Sequence, residues 1–433
     1  MNHSKIARPF YFQGCPMKTE LAVTALALSC ASAFAQAPGT LEVYGLLDVG
    51  INHVTGIAGG SKTSLASGIM DGSRLGVRGN EDIGGGWRSL FVLESRVEVN
   101  SGTFSNRPAS GSQLPDRLAQ AGLLSPSAPL PQLPVTGAAN AIGSRIGVNL
   151  ANSIWDRQVY VGLVTPVGAL LAGHQYTPAY EVFATFDATH TSSSLSAGQI
   201  NSTPTGVDIR ADNALAYRIQ SGGLTASLMR TFDGGTISKA NRLMGLGVTY
   251  KSERFSVGAG YNTHNNELGQ TALKSGLVGA SLALGPGTLS GLAAAIKDDH
   301  PAGLSTLSAQ LQAAPTPTPA FVADAIQAAF VTGLKQDARL FNIGYTLVTG
   351  ALTSTVAYSR YDDRRSFDAD VSSYGVTYSY ALSKRTDINA VLTRFENKGL
   401  AQAAPGGGGF LGGFTATAGT DSNNVALGIR HRF

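Results

Sequence analysis

Cysteine is almost missing from this chain: only Cys15 and Cys30 occur among 433 residues, and both fall in a segment that reads as a cleaved leader. Lys18 precedes an apolar stretch, Leu21 to Leu28, and the small-residue site Ala33-Phe34-Ala35 follows, the layout of a secretory signal. Met17 then starts the leader proper, residues 1–16 being an N-terminal extension, and cleavage after Ala35 leaves 36–433 as one exported domain. A lipid-modified Cys30 is the lesser alternative, because Ala27 stands where such sites usually carry Leu. The exported part has no cysteine, which excludes a disulfide framework and a thiolate metal site.

Charge is scarce as well. Asp, Glu, Lys and Arg make up 14% of the chain, against about a quarter in an ordinary soluble domain. The formal net charge of +4 is too small and too evenly spread for a nucleic-acid partner. Long apolar runs are missing from the exported part, with one candidate, Leu277 to Ile296. Gly285-Pro286-Gly287 sits at its middle, and that triplet breaks a helix but suits a tight turn, so the stretch predicts two short strands in a hairpin. Enzyme signatures are missing too. His53, His174, His190, His264, His300 and His431 lack metal-ligand spacing, and no nucleophile elbow, phosphate loop or dinucleotide fingerprint occurs. No cofactor or metal is expected. An outer-membrane lipase stays open only because a triad assembled in space needs no sequence motif.

What the chain does have is glycine, 53 residues, and period-2 alternation. Val425, Leu427, Ile429, His431 and Phe433 share one parity against Ala426, Gly428, Arg430 and Arg432. The same holds for Leu41, Val43, Leu47, Val49 and Ile51, and for Tyr374, Val376, Tyr378 and Tyr380. Alternation of this kind belongs to a strand with a different solvent on each face. Short turns (Asp82 to Gly86, Thr165 to Gly168, Ser221 to Gly223, Ser252 to Arg254, Gly285 to Gly287) alternate with long connections (Asn100 to Ile154, Pro178 to Val207, Asp298 to Ala338). Short turns on one rim and long loops on the other describe a transmembrane β-barrel. At about ten residues per strand the chain holds roughly sixteen, and backbone in hydrocarbon must be fully paired, so the sheet is expected to close. Within the long connections, Phe321, Ala325, Ala328, Ala329 and Val331 lie near helical spacing and predict a short amphipathic helix over Pro319 to Leu334. Asp362-Asp363-Arg364-Arg365 reads as a solvated loop tip or a lipopolysaccharide contact. Tyr374, Tyr378 and Tyr380 fit an interfacial aromatic girdle or ordinary surface tyrosines equally well.

Several segments resemble the trimeric general porins of the neisserial and β-proteobacterial type. They are VYGLLDVGI (Val43 to Ile51), SRLGVRGNEDIGGG (Ser73 to Gly86), RQVYVGL (Arg157 to Leu163), GHQYTP (Gly173 to Pro178), RADNALAY (Arg210 to Tyr217) and NVALGIRHRF (Asn424 to Phe433). The resemblance runs from the first strand to the last residue. It implies an all-β, closed antiparallel barrel of sixteen strands, a homotrimer, and a long third loop folded into the lumen as a constriction. It also implies that Phe433 belongs to the signal read by the barrel-assembly machinery. Outer-membrane lipid and lipopolysaccharide would surround such a barrel, and small hydrophilic solutes and ions would pass through it.

In the pattern of that family the third loop starts near Tyr176, runs to about Val207, and offers Glu181 and Asp187. A basic wall would face it, carried by Arg74, Arg157 and Arg210. Arg74 and Arg78 alternate with Leu75 and Val77, and Arg210 lies opposite in parity to Leu215, Tyr217 and Ile219, so these point to the lumen. Arg157 shares parity with Val159, Val161 and Leu163, and turns inward only from a bulge or a strand start. His174 stands where the family commonly has Arg, and Leu75 where Trp often follows the first Arg, which implies a less strongly positive constriction. Charged side chains crowded where water is scarce set ion preference, so a modest anion preference is expected. The alternatives are a substrate-specific or receptor barrel, and a secreted soluble all-β protein such as an adhesin.

Overall fold

The computed structural model describes residues 39–119, 131–200, 206–232, 242–407 and 412–433; the expected leader, 1–35, lies outside them. Seventeen strand segments form one sheet. They are β1 (Gly39–Ile57), β2 (Gly60–Ser67), β3 (Arg74–Gly84), β4 (Trp87–Arg96), β5 (Gln158–Thr165), β6 (Gly168–Tyr176), β7 (Arg210–Ser221), β8 (Leu224–Thr231), β9 (Leu243–Lys251), β10 (Phe255–Asn265), β11 (Thr271–Leu284), β12 (Gly287–Asp298), β13 (Gln336–Thr349), β14 (Leu352–Asp363), β15 (Val371–Ala381), β16 (Thr386–Asn397) and β19 (Ser422–Arg432). A two-residue pair, β17 (Ala403–Ala404) with β18 (Gly413–Phe414), stands apart.

Two of the segments are halves of one stave. β2 pairs with β1 from Val49↔Ser67 to Ile57↔Gly60, and β3 continues along the same edge from Leu46↔Arg74 to Gly39↔Glu81. Residues 68–73 leave the ladder between them, held by the buried Asp48, whose carboxylate accepts the N–H groups of Ile69, Met70 and Asp71 at 2.8–2.9 Å. The sheet therefore has sixteen antiparallel staves. It closes where β1 pairs with β19 from Leu46↔Arg432 to Val54↔Asn424, and Gly45 and Phe433 exchange both backbone hydrogen bonds at 3.1 Å. Closure leaves no edge, which hydrocarbon would penalise at every unpaired amide.

The alternation read in the sequence is the alternation of burial. Leu41, Val43, Leu47 and Ile51 on β1 and Val425, Leu427 and Ile429 on β19 are exposed, while Asp48, Asn52, Ala426 and Arg430 are buried. A sheet with apolar outside and polar inside is inverted relative to a soluble sandwich, and lipid is the solvent that makes this stable. Trp87, Tyr250, Phe255, Tyr380 and Phe433, all exposed, cluster at the ends of staves beside the short turns, an aromatic belt at one interface. No helix among the described residues is long and apolar enough to cross a membrane.

Gly285-Pro286-Gly287 makes the expected hairpin: Leu284 pairs with Gly287, and Gly285 adopts φ 57°, a conformation that glycine enters without a Cβ clash. The long connections carry helices α1 (Asp116–Ala119), α2 (Gln132–Gly143), α3 (Pro178–Phe186), α4 (Ala197–Ile200), α5 (Leu307–Gln312) and α6 (Ala320–Leu334). Helix α6 lies where the spacing placed it but buries a different stripe. Val322, Ala323, Ile326 and Phe330 face inward and Phe321 faces solvent, because the segment is apolar nearly all round and two stripes satisfy the period.

Four of these helices, α1, α2, α5 and α6, form a core of their own. Leu114, Leu118, Val135, Ile146, Leu304, Leu307, Ile326, Phe330 and Phe414 join connections 97–157, 299–335 and 398–421. Hydrogen bonds stitch the same segments: Gln113 donates to the Thr415 carbonyl at 2.8 Å, and Arg145 to that of Gly303 at 3.1 Å. Glu267, in the neighbouring 266–270 connection, accepts the N–H groups of Gly303 and Ser305 at 2.9 and 3.0 Å. Partial burial works against its ionisation, but these donors outweigh it and hold the carboxyl at about 2.

Candidate pore-lining site

The described residues between β6 and β7, 177–200 and 206–209, run along the inner face of the sheet. Thr177 caps α3 by accepting the Tyr180 N–H at 3.3 Å, and Pro178 fills the first helical position. The apolar side of α3 (Ala179, Val182, Phe183, Phe186) packs with Leu273, Leu277 and Leu292 of the wall. Missing side chains make the seat: a Cβ on Gly279 would lie 2.4 Å from Phe186, and one on Gly260 2.8 Å from the Ala179 Cα. Asn262 accepts the N–H of Ala179 at 3.3 Å, and Asn342 that of Ala188 at 2.9 Å. Further on, Ser194 reaches Thr393 and Asn424 at 2.8 and 2.7 Å, so the segment spans from β9 to β19.

Beside the start of this segment the structure brings together Arg157, Arg210 and Tyr176. Arg157 and Arg210 both donate to the Tyr176 hydroxyl, at 2.9 and 3.1 Å. The Arg210 guanidinium also lies 4.7 Å from the centre of that ring. Arg157 precedes β5 by one residue, which is how it escapes the outward parity of Val159 and Val161. It is buried and pairs with the equally buried Glu94 at 2.7 Å. Glu94 accepts a second bond from Tyr44 at 3.1 Å. Arg210 has no carboxylate within ion-pair distance among the described residues, and its Nε is buried without a partner. Arg74, half-buried, donates to the Gly72 carbonyl at 3.0 Å and approaches Asp71 at 3.8 Å. Asp71 is shared with Arg430, which also binds Asp387.

The other expected residues lie apart from this group. Arg78 is on the inner parity, but two hydrogen bonds of 2.8 and 3.0 Å tie it to Glu42. His174 bonds Asp212 at 2.6 Å and the Asp156 carbonyl at 3.1 Å. On the β7 side the ladder shifts register between Gly173 and Gln175, beside His174. Glu181 on α3 pairs with Arg218 of β7. Asp187 does not line the opening: it is fully buried, and its carboxylate accepts from the N–H groups of Thr191 and Ala197 and the Thr189 hydroxyl at 2.6–3.0 Å. A carboxylate serving three donors inside a loop folds that loop and is not free to meet a solute.

Sequence reasoning missed Glu94, Tyr44 and Arg218, all on inward positions, and the stack of Tyr176 on Tyr180 and Tyr180 on Phe183 at 5.3 and 6.4 Å. Tyr176 stood in the GHQYTP block, and parity could have offered Glu94 and Arg218. Nothing local signals which loop residue meets them.

A 431-residue alignment with outer membrane porin protein 32 of Delftia acidovorans is 24% identical, spanning 94% of this chain and 98% of the relative. The solved anion-selective porin from Comamonas acidovorans superposes with a TM-score of 0.67 at 21% identity, over 91% of this chain and all of that one. OmpT of Vibrio cholerae in its trimer form gives 0.55 at 14% identity, over 91% and 99%. Family and fold indicate a channel in the outer membrane, through which small hydrophilic solutes and ions diffuse. The profile described as Gram-negative porin matches residues 22–400, and the chain belongs to that family.

Proposed function

We propose that the pore prefers anions, and that segment 177–209 forms its constriction opposite a basic wall of Arg74, Arg157 and Arg210. One observation carries the reading: Arg210 sits on the ring of Tyr176 with no carboxylate in ion-pair contact among the described residues, whereas Arg157, Arg78 and Arg218 are each matched by a glutamate. An unmatched cation beside a narrow aqueous passage attracts anions and repels cations. The relative from Comamonas acidovorans is described as anion-selective, which supports the same sign. Reversal potentials across a planar bilayer in a salt gradient test it. The parent should favour anions modestly, and Arg210→Ser or Arg74→Ser should move the potential toward cations while the barrel stays folded. A cation preference in the parent would reject the charge assignment.

We also propose a homotrimer, in line with the trimer form of the Vibrio cholerae relative. The exported part, 36–433, follows a leader cleaved after Ala35, and the barrel-assembly machinery reads the last strand through Phe433. Outer-membrane lipid and lipopolysaccharide surround the apolar face. A second reading, a substrate-specific channel, draws support from the stacked rings of Tyr176, Tyr180 and Phe183 beside Arg210. Saturable block of conductance by one sugar or acid would favour it over general diffusion.

A further inference from the structure

We propose that the outer surface of the barrel from β10 to β14 carries a binding site for a phosphorylated lipid headgroup of the outer leaflet. The proposal gives a location to the lipid contact named in the preceding section and rests on that reading. Two successive rows of outward side chains define the site. Tyr261, Gly276, Ala295 and Arg339 are cross-strand partners in one row, and Thr263, Lys274, Lys297 and Asp337 in the next row toward the long loops. Arg364, just past β14, joins them, its N–H donating to the Asp337 carbonyl at 2.9 Å. All of these except Thr263 line a groove of about 390 Å³.

The groove lies where the exposed surface changes from apolar to basic. One row further from the loops come Val278, Ala293 and Phe341, with Val278 and Phe341 exposed. Rows on one face are spaced by two residues, roughly 7 Å, so cations begin within one row of the hydrocarbon-facing band. That is the depth of phosphate groups at a membrane surface.

Its charges are poorly matched within the protein. Lys274 and Lys297 are direct cross-strand partners, and like charges so placed destabilise a sheet unless an anion lies between them. Lys297 reaches Asp299 at 3.8 Å between exposed side chains, and Asp337 is the single carboxylate lining the groove. Lys274, Arg339 and Arg364 have no ion pair among the described residues; Asp362, the cross-strand partner of Arg339, is taken by Arg360 at 3.6 Å. Four cations around a trough suit a phosphate monoester, Arg339 offering two parallel donors and the lysines point charges.

Gly276 and Ala295 form the floor between the Tyr261 ring and the Arg339 stem. A Cβ on Gly276 would meet Tyr261 at 3.6 Å, an ordinary contact, so packing does not demand the glycine there. The space admits a chain that leaves the phosphate and continues over Val278 and Phe341 into hydrocarbon.

Native mass spectrometry of the purified porin in detergent, titrated with bis-phosphorylated lipid A and with its dephosphorylated form, tests the site. The parent should retain the phosphorylated lipid at least tenfold more tightly than the dephosphorylated one. The triple variant Lys274→Ala, Lys297→Ala, Arg339→Ala should lose that difference. A control triple at the turn rim, Lys251→Ala, Lys384→Ala, Arg385→Ala, should keep it. Gly276→Leu, which leaves every charge in place and fills the trough, should weaken the phosphorylated lipid by itself and serves if the triple variant fails to fold. Equal retention of the two lipids, equal loss in the control triple, or full displacement by inorganic phosphate at matching concentration would overturn the proposal. Reversal potentials on the same variants report on the pore alone, so failure of either reading leaves the other standing.

Discussion

Arg157 and Arg210 share the hydroxyl of Tyr176, yet their neighbours give them different work. Arg157 is locked to Glu94 with both side chains below a tenth exposed, and removing one member of such a pair leaves a buried charge, at a cost of about 3–5 kcal/mol. Arg210 has no such partner, so its loss removes charge from the passage and little support from the wall. Arg157→Gln should therefore lower the temperature at which the folded barrel converts to the unfolded form in heated gel electrophoresis, whereas Arg210→Gln should leave it near the parent value. Equal thermal shifts in the two variants would remove this division. At this scale the sequence was only partly legible. Residue type and parity pointed to Arg74 and Arg210, but parity misjudges a residue beside a strand start, as at Arg157. Asp187 was readable as an acid and not as a buried acceptor, because a loop has no period from which to infer direction.

Among the elements, α3 shows how a loop is held inside a barrel. Its seat is made by subtraction: glycines on β9, β10 and β11 let the helix approach the sheet backbone, and Phe186 lies over Gly279 and Gly258. Gly279→Val would place methyl groups where the Phe186 ring stands, and overpacking of this kind typically costs about 1–3 kcal/mol. The strand itself tolerates valine, so the strain falls on the loop. The expected result is a barrel that still assembles, with single-channel conductance changed and current noise increased as segment 177–209 shifts. Unchanged conductance would mean that this loop does not shape the passage. The strands carried their own signal in alternation and turn residues, and the helix over 320–334 was legible as a helix. Its buried stripe was not, since Val322, Ala323, Ile326 and Phe330 compete with an equally apolar opposite side. The break between β2 and β3 was hidden too, because Asp48 organises residues 68–73 through a contact more than twenty positions distant in sequence.

For the whole molecule, the governing fact is that sixteen staves close without an edge and turn an apolar band outward. Such a cylinder depends on lipid along its outer band as a soluble protein depends on its core. Leu427, mid-strand on β19 and directly opposite Ile51 of β1, lies in that band at 60% exposure and also at the seam where the cylinder closes. In a soluble protein an exposed leucine can become arginine at almost no cost. Here the change puts a charge against acyl chains, roughly 2–4 kcal/mol near the bilayer midplane, at the strand pair formed by the two ends of the chain. Leu427→Arg should thus reduce the folded fraction measured by heat-modifiable migration after refolding into vesicles. The inward change Thr249→Arg on β9, at a half-buried position that lines an open groove beside Glu181, meets polar groups and water and should be tolerated better. If the outward arginine were the better tolerated of the two, the assignment of faces on which the channel rests would be inverted.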